Sequence, residues 1–117
     1  MSPKRGDRAA PPAVGNEYEI RFATSDAATG WEDLARQAPT NLRRAYDAIR
    51  ADPRSQREPE RHHRLKGILG SGVHKGEPAE RWQYEVTGGG RIWYLIDDIR
   101  RTVWITYAGT RHPRETD

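Results

Sequence analysis

The chain has 117 residues, of which 34% are hydrophobic and 32% charged, with a formal net charge of +3 and no cysteine. This length suits one domain and not two. The lack of cysteine excludes disulfides, thiolate metal sites and cysteine nucleophiles. No apolar run approaches the ~20 residues of a membrane span, and the amino end has no apolar secretion signal, so we expect a cytoplasmic protein without membrane contact. The basic charge favours polyanionic partners.

Residues 1–16 are rich in Pro, Gly, Ala and Arg and show no periodicity. This composition predicts a disordered basic arm. We expect residues 17–117 to form the single domain. Its first segment, YEIRFAT at residues 18–24, alternates apolar and polar side chains and therefore predicts a strand.

Two helical patterns follow and indicate a helical hairpin. Gly30 interrupts the first pattern, so that only residues 30–37 are predicted as a secure helix, which Pro39 ends. The second pattern stops at Pro53, and its apolar residues have the i, i+3, i+4, i+7 spacing of one helical face: Leu42, Ala45, Tyr46 and Ile49.

Residues 54–80 show no sustained period and are interpreted as a long loop. Loops of this length are uncommon in compact domains and often carry function. Within the loop, the segment RLKGIL is expected to contact the core through Leu65, Ile68 and Leu69.

Three strands complete the chain. RWQYEVT alternates strictly, GGG supplies a hairpin turn, RIWYLID returns, and TVWITYA follows a second turn. The predicted order is β-α-α-β-β-β. It corresponds to an α+β fold in which the helical hairpin packs on a small four-stranded, mostly antiparallel sheet.

Charged groups gather near one end of this meander. Arg91 begins the middle strand, Glu85 lies on the preceding strand, and Arg111 and His112 follow the last strand. Neighbouring antiparallel strands lie ~5 Å apart, so these side chains can converge, with Lys66 contributed by the long loop. Cations, a carboxylate and an imidazole together can break a phosphodiester without a metal or cofactor.

Structural alternatives remain open for these residues. Glu85 and Arg91 equally suit a cross-strand ion pair, and Arg111 and His112 equally suit a solvated tail. The string HHR at residues 62–64 indicates an exposed polar turn and not a metal site, because adjacent histidines rarely bind one ion together.

Two tryptophans alternate with apolar residues on the last two strands. Trp93 and Trp104 point away from Ile92 and Val103, so one or both are expected to be half exposed. A half-exposed indole offers a stacking surface for a nucleic-acid base.

Three strings in this order resemble the RelE/ParE superfamily of toxins from bacterial type II toxin–antitoxin pairs. They are RLKG before the sheet, RWQYEVTGGGRIWYLID across the hairpin, and AGTRHPRE at the end of the last strand. The resemblance covers roughly residues 17–115, and its most specific part is GGRIWYLID.

The resemblance implies a function. The RelE-like branch consists of ribosome-dependent endoribonucleases that cut messenger RNA by attack of a ribose 2′-hydroxyl on the adjacent phosphate. It implies that Arg91 holds the scissile phosphate, that Arg111 and Lys66 add positive charge, and that His112 acts as general acid.

The sequence also departs from the family. RelE has two lysines on the strand before the turn, one of them the general base, where this chain has Gln83 and Glu85. Glu85, Glu58 and Glu60 therefore all remain candidates for the base. RelE also has a terminal tyrosine that stacks on the nucleotide and is missing here. The residues expected to contact RNA in its place are Trp93 and Tyr107, with His63 and Arg64 from the loop.

Two other functions stay open. The ParE-like branch inhibits DNA gyrase and needs no catalytic cluster, and a weakly active toxin would act mainly in a complex. In every case the resemblance implies a cognate antitoxin, whose acidic segment wraps the basic face. For the nuclease it also implies the ribosome and messenger RNA as partners.

Overall fold

The computed structural model describes residues 3–9 and 11–113. Its helices, strands and one 3₁₀ turn follow the order β1 (Glu19–Phe22), α1 (Ser25–Gln37), α2 (Pro39–Ala51), β2 (His62–Arg64), the 3₁₀ turn (Gly67–Gly70), β3 (Ser71–His74), β4 (Glu77–Glu85), β5 (Arg91–Asp97) and β6 (Thr102–Gly109). None of the described helices has the length and apolar character to cross a membrane. The last residues of the AGTRHPRE string, 114 and 115, lie outside the described residues.

The sheet has the strand order β1-β6-β5-β4-β2, and β3 pairs with the first half of β4. The pairing of β1 with β6 is parallel, and all other pairings are antiparallel. The predicted α+β class and the helical hairpin are confirmed. The predicted number of strands is too low, because the sheet has six strands in the described part of the chain.

The two additional strands lie in the segment interpreted as a long loop, so that interpretation is wrong. Strands β2 and β3 have only three and four residues, too few to show a period. Leu65 is buried as expected, but Ile68 is 94% exposed. Ile68 therefore does not enter the core.

Helix α1 is longer than predicted and begins before Gly30. Its N-cap is Thr24, whose hydroxyl accepts a hydrogen bond from the backbone N–H of Ala27 (3.0 Å). A β-carbon on Gly30 would lie 1.6 Å from the carbonyl oxygen of Ala108 in β6. The glycine therefore lets the helix approach the sheet backbone, and this packing outweighs its low helix propensity.

The main core lies between the helical hairpin and one face of the sheet. Phe22, Trp31 and Tyr46 meet there edge to face, with ring centroids 5.8 and 6.4 Å apart. Complete burial of side chains of this size contributes about 1.5–3 kcal/mol each. The core therefore supplies the stability that holds β4, β5 and β6 in register.

The opposite face, called the outer face below, carries Glu85, Arg91, Trp93 and Tyr107. Part of it is covered by the 3₁₀ turn and β3. Trp93 and Trp104 are only 5% and 7% exposed. The prediction that one or both tryptophans are half exposed is therefore wrong.

The described part of the amino-terminal arm runs along the free edge of β1. The backbone N–H groups of Gly6 and Ala9 donate to the carbonyls of Phe22 and Ile20, and Phe22 N–H donates to Asp7 (2.8, 2.8 and 3.1 Å). The disorder inferred for residues 1–16 and the domain boundary after them stay predictions.

Candidate functional site

The β4–β5 hairpin positions Arg91 at the centre of the site. Glu85 and Arg91 are register partners, and the Thr87 hydroxyl accepts the Gly90 N–H (2.7 Å), which closes the turn between them. Nη1 of Arg91 then donates to the carbonyls of Thr87, Gly88 and Gly90 at 3.0, 3.2 and 3.1 Å. Because Arg91 is only 7% exposed, these bonds fix its guanidinium and stabilise the turn.

The other amino group of Arg91 faces two predicted site residues. Nη2 lies 3.5 Å from Oε1 of Glu85 and 2.9 Å from Nε2 of His112. A guanidinium has donors only, so Nε2 of His112 accepts, and the ring proton of a neutral imidazole is on Nδ1. Glu85 from the hairpin and His112 from the segment after β6 therefore meet at one nitrogen of Arg91. The cross-strand ion pair that was given as the structural alternative is also present.

The segment after β6 turns back because of Tyr107. Its hydroxyl donates to the backbone carbonyl of Arg111, and a β-carbon on Gly109 would lie 2.5 Å from that hydroxyl oxygen. Gly109 thus leaves the space in which this bond forms. Burial raises the pKa of Tyr107, which keeps the phenol protonated as the donor. The turn brings His112 to Arg91, while the side chain of Arg111 is exposed.

A second row of side chains lies beside Arg91 on the outer face. The strand register aligns His63, Gln83, Trp93 and Tyr107 across four strands. Oε1 of Gln83 accepts the indole N–H of Trp93 (2.8 Å), and the rings of Trp93 and Tyr107 meet edge to face at 6.2 Å. Gln83 therefore orients an aromatic ring and is itself buried.

An open groove of about 310 Å³ follows this aromatic row. It contains one charged side chain, Arg81, and it has no carboxylate among its lining residues: Leu69, Arg81, Trp93, Thr106, Tyr107 and Pro113. Sequence reasoning missed Arg81 and Thr87. The alternation of RWQYEVT could have found them, since Arg81 and Thr87 alternate in phase with Gln83 and Glu85 and therefore lie on the same face of the strand.

The remaining cations lie farther from Arg91. Lys66 follows Leu65, whose backbone N–H donates to the carbonyl of Arg81 (3.0 Å), so the backbone of Lys66 lies near Arg81. Arg81 is four residues from Glu85 along β4, a distance of about 13 Å. Arg64 donates to the Gly70 carbonyl (2.8 Å), so its guanidinium is bound to the 3₁₀ turn.

Only one candidate base contacts the cluster among the described residues. The carboxylate of Glu85 reaches Arg91, whereas Glu58 and Glu60 precede β2 in exposed positions. The backbone carbonyl of Glu58 accepts the N–H groups of Arg61 and His62 in that turn. Glu85 is therefore the base candidate that the fold places best.

His62 is buried and not part of an exposed turn, which corrects the interpretation of HHR. The Tyr94 hydroxyl donates to the Pro53 carbonyl (2.7 Å), so it accepts from Nε2 of His62 (2.5 Å). Burial lowers the pKa of His62 to about 4. His63 lies apart from it, with Nδ1 3.1 Å from the Pro59 carbonyl. Residues 3–9 and 11–113 contain no group of three potential metal ligands.

Comparison with known proteins finds similar chains among the solved structures. No family model matches the chain, and no curated protein matches it. The chain is similar to a chain of the toxin–antitoxin complex RelBE2 from Mycobacterium tuberculosis, with 23% identity over 83% of this chain and 99% of that chain and a TM-score of 0.45.

Proposed function

We propose that this protein is the toxin of a type II toxin–antitoxin pair and cleaves ribosome-bound messenger RNA. The observation that supports this function is the meeting of Glu85, Arg91 and His112 at one guanidinium nitrogen. The family resemblance supplies the reaction, and the contacts of these three residues supply a role for each. RNA suits such a site because its 2′-hydroxyl is an internal nucleophile.

Arg91 binds the scissile phosphate through Nη2. The phosphate replaces Glu85 and His112 at this nitrogen, while Nη1 stays on the carbonyls of the turn. The guanidinium is therefore oriented before the substrate arrives. Such fixed donors stabilise the charge that develops on the phosphate oxygens in the transition state.

Displacement from Arg91 frees the two groups that transfer protons. The Glu85 carboxylate takes the proton of the 2′-hydroxyl as the bond from O2′ to phosphorus forms. The bond from phosphorus to O5′ breaks, and His112 donates a proton from Nε2 to O5′. His112 takes this proton from water after the phosphate has displaced it from Arg91. The products are a 2′,3′-cyclic phosphate and a 5′-hydroxyl. Exchange with water restores both side chains.

The outlying cations bind the RNA on either side of the cut. Arg111 is exposed beside His112. His63 and Arg64 belong to β2, the last strand in the sheet order, and Lys66 follows that strand. There they contact phosphates or bases of flanking nucleotides. Tyr107, with the edge of Trp93, contacts the nucleotide next to the cut.

Cell-free translation with wild-type protein and the variants His112→Gln and Glu85→Gln tests the reaction. We expect wild-type cleavage of ribosome-bound message and a loss of about 10²–10⁴-fold in rate for each variant. His112 is exposed, so its variant is expected to fold. The control is Arg44→Gln, an exposed cation on α2. Variants that cut at the wild-type rate would exclude these two residues as acid and base.

Inhibition of DNA gyrase is the second candidate. Arg91 satisfies three turn carbonyls and is almost fully buried, so a purely structural role accounts for it. A gyrase inhibitor requires no catalytic cluster. Intact message together with inhibited DNA supercoiling in the same samples would support this function and exclude the nuclease.

We also propose a cognate antitoxin as partner. The helical hairpin has an apolar groove of about 240 Å³ that includes Trp31, Leu42 and Tyr46, with Arg43 and Arg50 at its rim. An acidic amphipathic segment fits such a groove. Growth arrest by the chain alone, relieved by co-expression of the adjacent reading frame, is the expected result.

A further inference from the structure

Arg81 lies on the outer face of β4, and no carboxylate of residues 3–9 and 11–113 pairs with its positive charge. Its Nη1 donates to the backbone carbonyls of Leu69 (3.2 Å) and Ser71 (3.4 Å). No ion pair to Arg81 exists within the described ranges, and the groove that it lines contains no acidic residue. Its charge is therefore available to a ligand in the groove.

The side chain of Arg81 is held in one orientation. A β-carbon on Gly72 would lie 2.4 Å from Nη2 of Arg81 and 2.9 Å from Cδ2 of Leu95. The guanidinium thus occupies the space left by the missing side chain at position 72. This space and the carbonyls of Leu69 and Ser71 fix the guanidinium. It therefore has the rigidity that recognition by hydrogen bonds requires.

The strand register sets Arg81 at a definite distance from the proposed phosphate site. Arg91, Trp93 and Leu95 follow one another on the outer face of β5, and Arg81 is the register partner of Leu95. Alternate residues of a strand are about 6.6 Å apart. A phosphate at Arg91 therefore places its nucleoside over Trp93 and Tyr107, with the far edge of the base toward Arg81.

We propose that Arg81 reads the base of the nucleotide that adjoins the scissile phosphate and favours guanine. This inference rests on the RNA cleavage proposed above. A guanidinium offers donors only. Guanine presents two acceptors, O6 and N7, on one edge, whereas adenine and cytosine present an amino donor there. Arg81 is thus a specificity-determining residue, distinct from the groups that transfer protons.

The test uses purified protein with ribosomes programmed by messages that differ only in the base beside the cut. We expect wild-type kcat/KM to be about tenfold or more higher for guanine than for adenine. Arg81→Gln should reduce this ratio to one or below while cleavage of the adenine message persists, because a glutamine amide can pair with N6 and N7 of adenine. Gly72→Ala keeps the charge but displaces the guanidinium, so it should lower the ratio as well.

Ser71→Ala is the matched control for a general loosening of the 3₁₀ turn and β3, which cover part of the outer face. It removes the hydroxyl that accepts from Arg64 (3.1 Å) and leaves the Ser71 carbonyl in place for Arg81. The base ratio should stay at the wild-type value. A wild-type enzyme without guanine preference, or an Arg81→Gln variant that retains it, would overturn the inference and leave the nuclease intact. A wild-type protein that cuts no message would overturn both.

Discussion

Gly30 in α1 lies directly against the backbone of Ala108 in β6. A β-carbon on Gly30 would come within 1.6 Å of the Ala108 carbonyl oxygen and 2.5 Å of its carbonyl carbon. Ala108 precedes Gly109, which is the register partner of Arg91. This close contact between helix and sheet therefore supports the strand end that completes the candidate site.

Gly30→Ala should destabilise the protein by about 1–3 kcal/mol or more, because the helix must move away from the sheet. The intrinsic helix preference of alanine, about 0.5–1 kcal/mol, opposes this loss and is smaller. Urea unfolding at neutral pH measures the difference. Gly88→Ala is the control, since a β-carbon there meets no atom within 4 Å. Equal stability of the Gly30 variant and wild type would contradict the close packing.

Burial of His62 should make stability depend on pH. Its pKa is lowered to about 4 in the folded protein, against about 6.5 for an unperturbed histidine. As the pH falls, the unfolded chain therefore binds a proton at His62 at a higher pH than the folded protein does. The contribution of His62 to the free energy of unfolding is fully present above about pH 6.5 and is lost as the pH drops toward 4. At pH 5 this group alone lowers the free energy of unfolding by about 2 kcal/mol.

Urea unfolding of wild type and His62→Gln at pH 7 and pH 5 isolates this contribution. The variant should lose much less stability than wild type between the two pH values. If the His62→Gln variant lost as much stability as wild type between the two pH values, His62 would not be the group responsible.

The sequence predicted best where the pattern was local. RIWYLID is confirmed as β5 (Arg91–Asp97), because strict alternation follows a glycine turn. The proximity of Glu85 and Arg91 followed from that hairpin. Burial of His62 was not predictable, since its partners Tyr94 and Pro53 come from distant segments.

The structural role of Arg91 also lay outside sequence reasoning. Alternation places the side chain on the outer face, but it says nothing about three carbonyls of the turn pointing at Nη1. Likewise, the indole N–H of the buried Trp93 donates to Gln83 across the strand pair. Such contacts depend on side-chain conformations that periodicity does not encode.

Arg91→Ala should lower stability as well as activity. Hydrogen bonds from a charged donor contribute about 1.5–3 kcal/mol, and the variant leaves the carbonyls of Thr87, Gly88 and Gly90 without this donor. Arg91→Lys, which keeps one donor group, should be intermediate. Urea unfolding of the three proteins checks the order. A fully stable Arg91→Ala variant would show that the turn forms without this side chain.

Deletion of residues 1–16 should expose the edge of β1. Phe22 N–H donates to Asp7 in the arm (3.1 Å), whereas Ala23 N–H donates to Ile105 in β6 (2.8 Å). Without the arm, we expect hydrogen exchange at Phe22 to speed up by about tenfold or more, with a much smaller change at Ala23. Arg8→Ala, which removes only the ion pair with Glu19, is the control and should leave both amides nearly unchanged. Equal exchange at Phe22 in the full-length and shortened chains would mean that the arm does not pair with β1 in solution.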